Sequence, residues 1–165
     1  MITIATYSTA FQAAIVDVIL PIQRDEYGFG VTLDDQPDLL EIPSFYQSGG
    51  GGFWVALDGP ALVGTIALRD IGNRQGALRK MFVRASHRGP AFGVARKLMD
   101  HLVAASRDKG IADVFLGTTE RFLAAHRFYE KNGFTRIADT ELPAAFPRMA
   151  VDTRFYHRGI GPDTK

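Results

Sequence analysis

The stretch Leu78–His101 constrains the fold more than any other part of the chain. It begins as a strand, continues through a loop that carries glycines and two basic residues, and enters a long amphipathic helical pattern. A loop between a strand and a helix presents backbone N–H groups and a helix N-terminus, which together attract a phosphate. The stretch therefore predicts a strand-to-helix crossover with a local anion site.

Composition narrows the classes of protein that can carry this stretch. The chain has 165 residues, of which 46% are hydrophobic and 22% charged, which is typical of one globular domain spanning 1–165. A net charge of +1 gives no basic field for nucleic acid or a membrane surface, so anion binding must be local. With no cysteine, disulfides, thiolate metal ligands and a cysteine nucleophile are excluded, and no metal site is predicted.

The N-terminal segment does not have the pattern of a signal peptide. It lacks a basic start, and Gln12 and Asp17 interrupt its apolar run at helical spacing. No window reaches the roughly 18 uninterrupted apolar residues that a membrane span requires. We therefore expect a soluble, cytoplasmic protein.

Hydrophobic periodicity and turn signals predict a mixed α/β fold. Helices are expected from Ser8 or Thr9 to about Arg24, through Leu39, Leu40 and Ile42, over Gly93–Lys109, and from Thr118 or Thr119 to Lys131. Strands are expected over Ile2–Tyr7, Phe53–Leu57, Leu62–Leu68, Ala77–Val83, Val114–Gly117, Phe134–Ile137 and Met149–Tyr156. The order predicts a mostly antiparallel sheet of about seven strands with about four helices packed on it. The strands on either side of the long helix should be parallel, joined by a right-handed crossover.

Two further segments are expected to be irregular. The run Gly49–Gly52 predicts a flexible turn, and the tail from His157 is expected to fray.

The loop before the long helix carries the first candidate site. Arg84, His87 and Arg88 precede Gly89 and Gly93, and arginine can bind phosphate oxygens with two donors. An ordinary loop with solvated arginines explains the composition equally well.

A second candidate site lies in the segment 124–134. On a helix, Phe122, His126 and Tyr129 share one stripe, because they are three or four residues apart. Taken alone, this stripe is better explained by packing.

Taken together, the two segments resemble the GNAT superfamily of acetyl-CoA-dependent N-acetyltransferases. The resemblance spans roughly Phe53–Ile137, and its most specific parts are Met81-Phe82-Val83 leading to Arg88-Gly89 and the run Phe128–Phe134. It implies a GNAT-like twisted sheet whose one parallel strand pair splays around the coenzyme. It also implies acetyl-CoA as co-substrate, with loop amides on the pyrophosphate, the strand Met81–Val83 on the pantetheine arm and Tyr129 as general acid. The coenzyme-binding residues that follow from it are Met81, Phe82, Val83, Arg88, Gly89, Phe92, Gly93, Val94, Ala95 and Phe128.

The loop can be aligned with the family pattern, Arg/Gln-x-x-Gly-x-Gly/Ala, in two ways. Counted from Arg88, the chain has Ala91 where the first glycine is usual. Alternatively, Gly93-Val94-Ala95 supplies the Gly-x-Ala part of a loop two residues longer, and the helical spacing of the residues that follow favours this register. Pro90 has no N–H to donate in either register.

The chain departs from the family at two further positions. Phe122 stands where many relatives carry an asparagine, and the strand before the loop has no glutamate to act as base, with Arg79 and Lys80 nearby instead. His126 is a candidate base because imidazole titrates near neutrality. A water chain to a distant carboxylate is an equal candidate, and a structural role for this histidine is favoured.

Three functions are compatible with these residues. The first is acetyl transfer to a primary amine of a small molecule or amino acid by direct attack, and the second is acetylation of a protein N-terminus or lysine. The third is a coenzyme-A-binding sensing module without catalysis. The acceptor site is expected between Arg24–Gln47 and the C-terminal strands, where acidic residues would suit a cationic amine or simply form a solvated face. No nucleic-acid or membrane partner is expected, and the oligomeric state is left open, a homodimer included.

Overall fold

One seven-stranded mixed sheet forms the centre of the protein, in the order β1-β2-β3-β4-β5-β7-β6. The computed structural model describes residues 1–120 and 122–161. The strands are β1 Ile2–Thr6, β2 Gly52–Asp58, β3 Ala61–Gly72, β4 Gln75–Val83, β5 Asp113–Thr118, β6 Thr135–Ile137 and β7 Arg154–Gly159. Among the described strands only β4 and β5 pair in parallel, so the predicted fold class and the parallel pair on either side of the long helix are confirmed.

Five α-helices pack on the sheet in the described ranges, one more than predicted. They are α1 Gln12–Pro21, α2 Pro37–Leu40, α3 Ile42–Phe45, α4 Val94–Asp108 and α5 Leu123–Lys131. Alternate residues of β2 enter two different cores: Trp54 packs with α4 and α5, whereas Phe53 packs with α1, α2 and α3. Because successive strand residues point to opposite faces, the two cores lie on the two sides of the sheet.

The parallel strands separate soon after they meet. Pairing between β4 and β5 ends at Ala77 and Phe115, and β5 then pairs only with β7 up to Thr118. From Leu78 onward, the edge of β4 that faces β5 therefore has no strand partner within the described residues. Such an edge offers backbone donors and acceptors to a ligand.

A bulge in β4 lies within this separated part. Lys80 and Met81 together face the single residue Ile66 of β3, because Thr65 pairs with Phe82 and Ala67 with Arg79. Lys80 has a φ of 55°, in the left-handed region that disfavours residues other than glycine. Strained backbone of this kind costs about 1–3 kcal/mol and is concentrated at functional sites.

Two expectations about irregular segments hold only in part. The predicted turn forms at Gly49 and Gly50, but Gly50, Gly51 and Gly52 are buried, and a Cβ on Gly51 would clash with the carbonyl oxygen of Tyr46, so close packing requires this glycine. The tail does not fray at His157, because β7 continues to Gly159 and the Ile160 N–H donates to the Ala112 carbonyl at 2.7 Å. The residues beyond 161 lie outside the described part.

The predicted strand Met149–Tyr156 is correct only from Arg154 onward. Met149–Asp152 forms a turn, in which the Asp152 N–H donates to the Met149 carbonyl at 3.0 Å, and β7 begins at Arg154. The first predicted helix also differs, since α1 ends at Pro21 and continues as a π-helical turn over Ile22–Glu26.

None of the helices in the described ranges is long and apolar enough to cross a bilayer.

Candidate functional site

A cavity of about 690 Å³ opens where β4 and β5 separate. Its floor is formed by Leu78–Phe82 of β4 and Leu116–Thr118 of β5. The segment that follows α1 covers one side, and the loop before β7 covers the other. The remaining lining residues are Gln23, Tyr27, Gly28, Phe29, Gly30, Val31, Asp35, Gln36, Thr119, Phe122, Ala125, Tyr129, Phe146, Pro147 and Met149–Asp152.

The N-terminus of α4 is the first element of the site with anion-binding chemistry. Gly93, with a φ of 66°, is the N-cap residue, and no side chain from the described part of the protein caps the helix. The Lys97 N–H donates to the Gly93 carbonyl, so the amides of Val94, Ala95 and Arg96 have no partner within the helix. These amides and the helix dipole provide a positive end that suits a phosphate.

The predicted loop residues lie directly before these amides. The N–H groups of Phe92 and Gly93 both donate to the Gly89 carbonyl at 3.3 Å, which closes the loop on itself. The unpaired amides at Val94 and Ala95 belong to the predicted set. The choice between the two loop registers stays a prediction.

Arg88 is held by protein partners. Its Nη2 lies 2.7 Å from Glu26 Oε1, and its Nε donates to the Val83 carbonyl at 2.8 Å. Arg88, Glu26 and Val83 do not line the cavity. The role of Arg88 in phosphate binding stays a prediction.

Tyr129 faces the cavity from α5. The residue is only 8% exposed, and its hydroxyl makes no hydrogen bond with any residue in the described part of the chain. Burial raises the pKa of Tyr129 above the ordinary value for tyrosine, so the hydroxyl stays protonated throughout the neutral range. A protonated hydroxyl without a partner can donate to a ligand in the cavity.

His126 has both ring nitrogens engaged. The Arg154 guanidinium, which can only donate, lies 2.6 Å from Nδ1, and Nε2 lies 2.7 Å from the Thr119 carbonyl oxygen, which can only accept. This pattern fixes a neutral imidazole with its proton on Nε2. The ring is 3% exposed and does not line the cavity, so its contacts favour a positioning role over proton transfer.

Aromatic rings make up one wall of the cavity. Phe122 stacks on Tyr27 with 4.3 Å between ring centroids, and Phe29 and Phe82 also contact Tyr27. Phe122, where many relatives have asparagine, therefore contributes apolar surface. Phe128, predicted to touch the coenzyme, is half-buried against the core beside Tyr129.

A buried polar cluster lies behind the β4 bulge. Asp38 Oδ2 accepts a hydrogen bond from the Tyr46 hydroxyl at 2.5 Å and lies 3.4 Å from Lys80 Nζ and 3.9 Å from Arg79 Nη2. Lys80 Nζ also donates to Gln36 Oε1 at 2.7 Å. Desolvation lowers the pKa of Lys80, although Asp38 opposes this effect.

Asp152 brings a carboxylate to the opposite side of the cavity. Its Oδ2 accepts from the Met149 N–H at 3.3 Å, while Oδ1 has no hydrogen-bond donor within the described ranges. Burial raises the pKa of Asp152, with Arg79 and the backbone hydrogen bond opposing the rise. Space for this carboxylate depends on Gly117 of β5, because a Cβ there would lie 2.5 Å from Oδ2.

The sequence analysis missed Asp152 and Asp38 as site residues. Asp152 lies inside a segment predicted to be a strand, and its spacing from other polar residues does not indicate a functional site. Asp38 lies in the predicted acceptor segment, Arg24–Gln47. Among the acidic residues of that segment, only Asp35 lines the cavity, and the others are Asp25, Glu26, Asp34, Asp38 and Glu41. In the described ranges no group of three or more histidine and acidic side chains is arranged to hold a metal ion.

Comparison with known proteins agrees with this geometry. The family model "Acetyltransferase (GNAT) family" matches residues 16–134. A GNAT-family acetyltransferase of Staphylococcus aureus Mu50 superposes with a TM-score of 0.91, is 36% identical, and is matched over 98% of this chain and 100% of that one.

Two longer relatives are similar over part of the chain. The probable N-acetyltransferase family 8 member 5 of Mus musculus is 35% identical over 106 residues, which cover 61% of this chain and 46% of the relative. The N-acetylaspartate synthetase of Danio rerio is 33% identical over 106 residues, which cover 63% of this chain and 37% of the relative. The chain thus spans less than half the length of these two relatives.

The family model covers most of the chain, and the Staphylococcus structure covers nearly all of it. The predicted resemblance is therefore confirmed: the chain belongs to the GNAT family of acetyltransferases.

Proposed function

We propose that the protein transfers the acetyl group of acetyl-CoA to a primary amine of a small molecule or amino acid. The observation that carries this proposal is the Tyr129 hydroxyl, which has no hydrogen-bond partner among the described residues and faces the cavity where β4 and β5 separate. A thioester bound along the unpaired edge of β4 would lie beside the Tyr129 hydroxyl, which can donate a proton to it. Family membership supports acetyl-CoA as the donor.

The donor end of the site is formed by backbone. We assign the coenzyme pyrophosphate to the amides of Val94, Ala95 and Arg96 at the start of α4, preceded by Gly93. The pantetheine arm runs along the edge of Met81–Val83 and makes strand-like hydrogen bonds. Arg88 and Gly89 border the phosphates, and Phe92 and Phe128 supply apolar contacts.

The reaction is direct attack on the thioester. The acceptor nitrogen bonds to the thioester carbon, the carbon–sulfur bond breaks, and the electron pair leaves on sulfur. Backbone N–H groups of the β4 bulge stabilise the carbonyl oxygen as it gains charge. Tyr129 donates a proton to the departing thiolate, and the nitrogen loses a proton to a base.

We assign the base role to Asp152 in place of His126. The His126 ring uses both nitrogens in hydrogen bonds, whereas Asp152 lines the cavity with one oxygen that has no partner in the described part of the protein. As the nitrogen attacks, its remaining proton becomes acidic and passes to Asp152. The raised pKa of this carboxyl brings it closer to that of a base acting near neutrality.

The cavity favours a small acceptor. Aromatic rings and the Met149–Asp152 turn surround a volume of about 690 Å³, which is within the range of small-molecule sites. The similar relative from Danio rerio is named for making an N-acetylated amino acid, which supports an amino-acid acceptor. Protein acetylation and a non-catalytic coenzyme-binding module are the alternatives.

The experiment is an acceptor panel with acetyl-CoA, followed by release of the free thiol. Small amines and amino acids form one arm, and peptides with a free N-terminus or a lysine form the other. We expect amine-dependent thiol release in the first arm. Turnover confined to peptides would favour the protein acetyltransferase, whereas coenzyme binding without any amine-dependent release would favour the module.

A further inference from the structure

The polar cluster behind the β4 bulge contains two cationic side chains and only one carboxylate among the described residues. Arg79 and Lys80 both lie within ion-pair distance of Asp38, and among the described residues no other carboxylate comes that close to either. Their side chains are 15% and 8% exposed. A buried charge without a counter-charge is unfavourable, so this surplus indicates a missing anion.

Arg79 and Lys80 differ in how many of their N–H donors are free to bind a ligand. Lys80 is engaged by Gln36 and Asp38, and its amine ties β4 to the segment after α1. Arg79 has weaker partners: Met149 Sδ at 3.8 Å, Asp38 at 3.9 Å, the Tyr46 hydroxyl and the Phe45 ring, whose centre lies 5.7 Å from the guanidinium. A guanidinium has five N–H donors in a planar fork. Arg79 therefore has donors to spare, and it lines the cavity.

Opposite charges also face the cavity without neutralising each other. Arg79 and Asp152 contact Met149 from different sides, the first at its sulfur and the second at its backbone N–H. They interact electrostatically but do not form an ion pair. A ligand that carries a cation and an anion a few bonds apart matches such a pair of charges.

We propose that Arg79 binds a carboxylate of the acceptor, so that the acceptor class is amino acids. The amine of the acceptor lies at Asp152 and the thioester, and its carboxylate accepts hydrogen bonds from the Arg79 guanidinium. Asp38 and Lys80 hold Arg79 and the bulge in place. This assignment rests on the proposed acetyl transfer for the position of the amine.

The test compares amino acids with their carboxamides, which keep the amine and the side chain but lose the negative charge. The carboxamides have the less basic amines and are intrinsically more reactive near neutral pH, so a preference for the acids must come from the protein. We expect kcat/KM for the best amino acid to exceed that of its amide by about 10-fold or more, the range of a hydrogen bond to a charged group.

The variant Arg79→Gln should abolish that preference. We expect KM for the amino acid to rise by about 10- to 100-fold, while KM for the amide changes by less than about 2-fold. Arg79→Lys, which keeps the charge and loses the fork, should retain part of the preference. Arg69→Gln is the matched control, since Arg69 stacks on the same Phe45 ring at 3.8 Å but does not line the cavity.

Binding of the same acids and amides to the protein–coenzyme A complex, measured by calorimetry, separates this inference from the proposed function. If acids bind in an Arg79-dependent way but no amine is acetylated, the carboxylate site stands and the proposed transfer fails. If acids and amides react or bind equally, if neither set binds, or if Arg79→Gln weakens both alike, the carboxylate site is wrong.

Discussion

The two ends of the proposed site are built from different kinds of groups. The donor end consists of backbone: three amides at the start of α4, which lie outside the cavity lining, and an edge of β4 that has no strand partner among the described residues. The acceptor end consists of side chains from separate segments, with Arg79 and Lys80 from β4, Gln36 from the segment after α1 and Asp152 from the loop before β7.

This difference separates what the fold provides from what this chain adds. Backbone amides are present whatever the side chains are, so a fold that positions them can keep the same coenzyme with many sequences. Side chains at the acceptor end can be exchanged without altering the sheet. We therefore expect substitutions at the two ends to change different measurable quantities.

The largest effect is expected where the two ends meet. Tyr129→Phe removes the hydroxyl and keeps the buried ring, so kcat should fall by about 100-fold or more, while the Kd of acetyl-CoA changes little. Steady-state kinetics and calorimetry on the same preparation provide both values. Phe134, which packs on Tyr129, gives the control Phe134→Leu, a comparable change in the same core without the loss of a hydroxyl. Near-normal turnover in Tyr129→Phe would remove it from the acid role.

A smaller effect, with a distinctive pH dependence, is expected at Asp152. Burial raises the pKa of this carboxyl, and only its ionised form accepts a proton, so wild-type activity should fall as pH drops through that raised pKa. Asp152→Asn lacks the carboxylate that accepts the proton. Its rate should therefore keep rising with pH up to the pKa of the acceptor amine, which is about 10 for an amine like that of lysine. Near pH 7 the loss should be about 10- to 100-fold.

The control for Asp152 comes from the glycine opposite it. Gly117→Ala should displace the Asp152 carboxylate, so its rate should fall less than that of Asp152→Asn and should change with pH in the same way as in that variant. Gly159→Ala should leave the rate unchanged, because a Cβ there meets nothing within 4 Å. If Asp152→Asn keeps the wild-type pH profile, the base lies elsewhere.

The smallest effect is expected at the donor end, and it should be confined to coenzyme affinity. Ala95→Glu places a negative charge among the free amides of α4, which should weaken acetyl-CoA binding by about 10-fold or less while leaving thermal stability unchanged or slightly raised. Ala104→Glu, an exposed site farther along α4, is the control. Equal coenzyme affinity in both variants would contradict the phosphate site.

The donor end could be predicted from sequence better than the acceptor end. The α4 boundary could be predicted because Gly93 and the apolar spacing after it are local signals, and α4 begins at Val94. The bulge at Lys80 has no local sequence signal. It arises from the pairing of β4 with β3, in which two residues of β4 face a single residue of β3.

The acceptor side chains could not be predicted for a related reason. Asp152 lies 35 residues from Gly117, and only the pairing of β5 with β7 brings them into contact. The turn at Met149–Asp152 was mistaken for a strand because a backbone hydrogen bond between its ends and the Asp152 carboxylate, and not residue propensity, hold it. The burial of the glycine run could not be predicted because part of the backbone that it packs against, the Leu68 carbonyl of β3, is distant in sequence.

The most direct measurement is the acetyl balance of the reaction. Wild-type protein is mixed with acetyl-CoA and an amino-acid acceptor, and mass spectrometry counts nitrogen-bound acetyl while a thiol reagent counts free coenzyme A. Direct transfer predicts one N-acetyl product for each thiol released, with both signals dependent on the amine. Thiol release without an N-acetyl product, or coenzyme binding with no release across the acceptor panel, would contradict it.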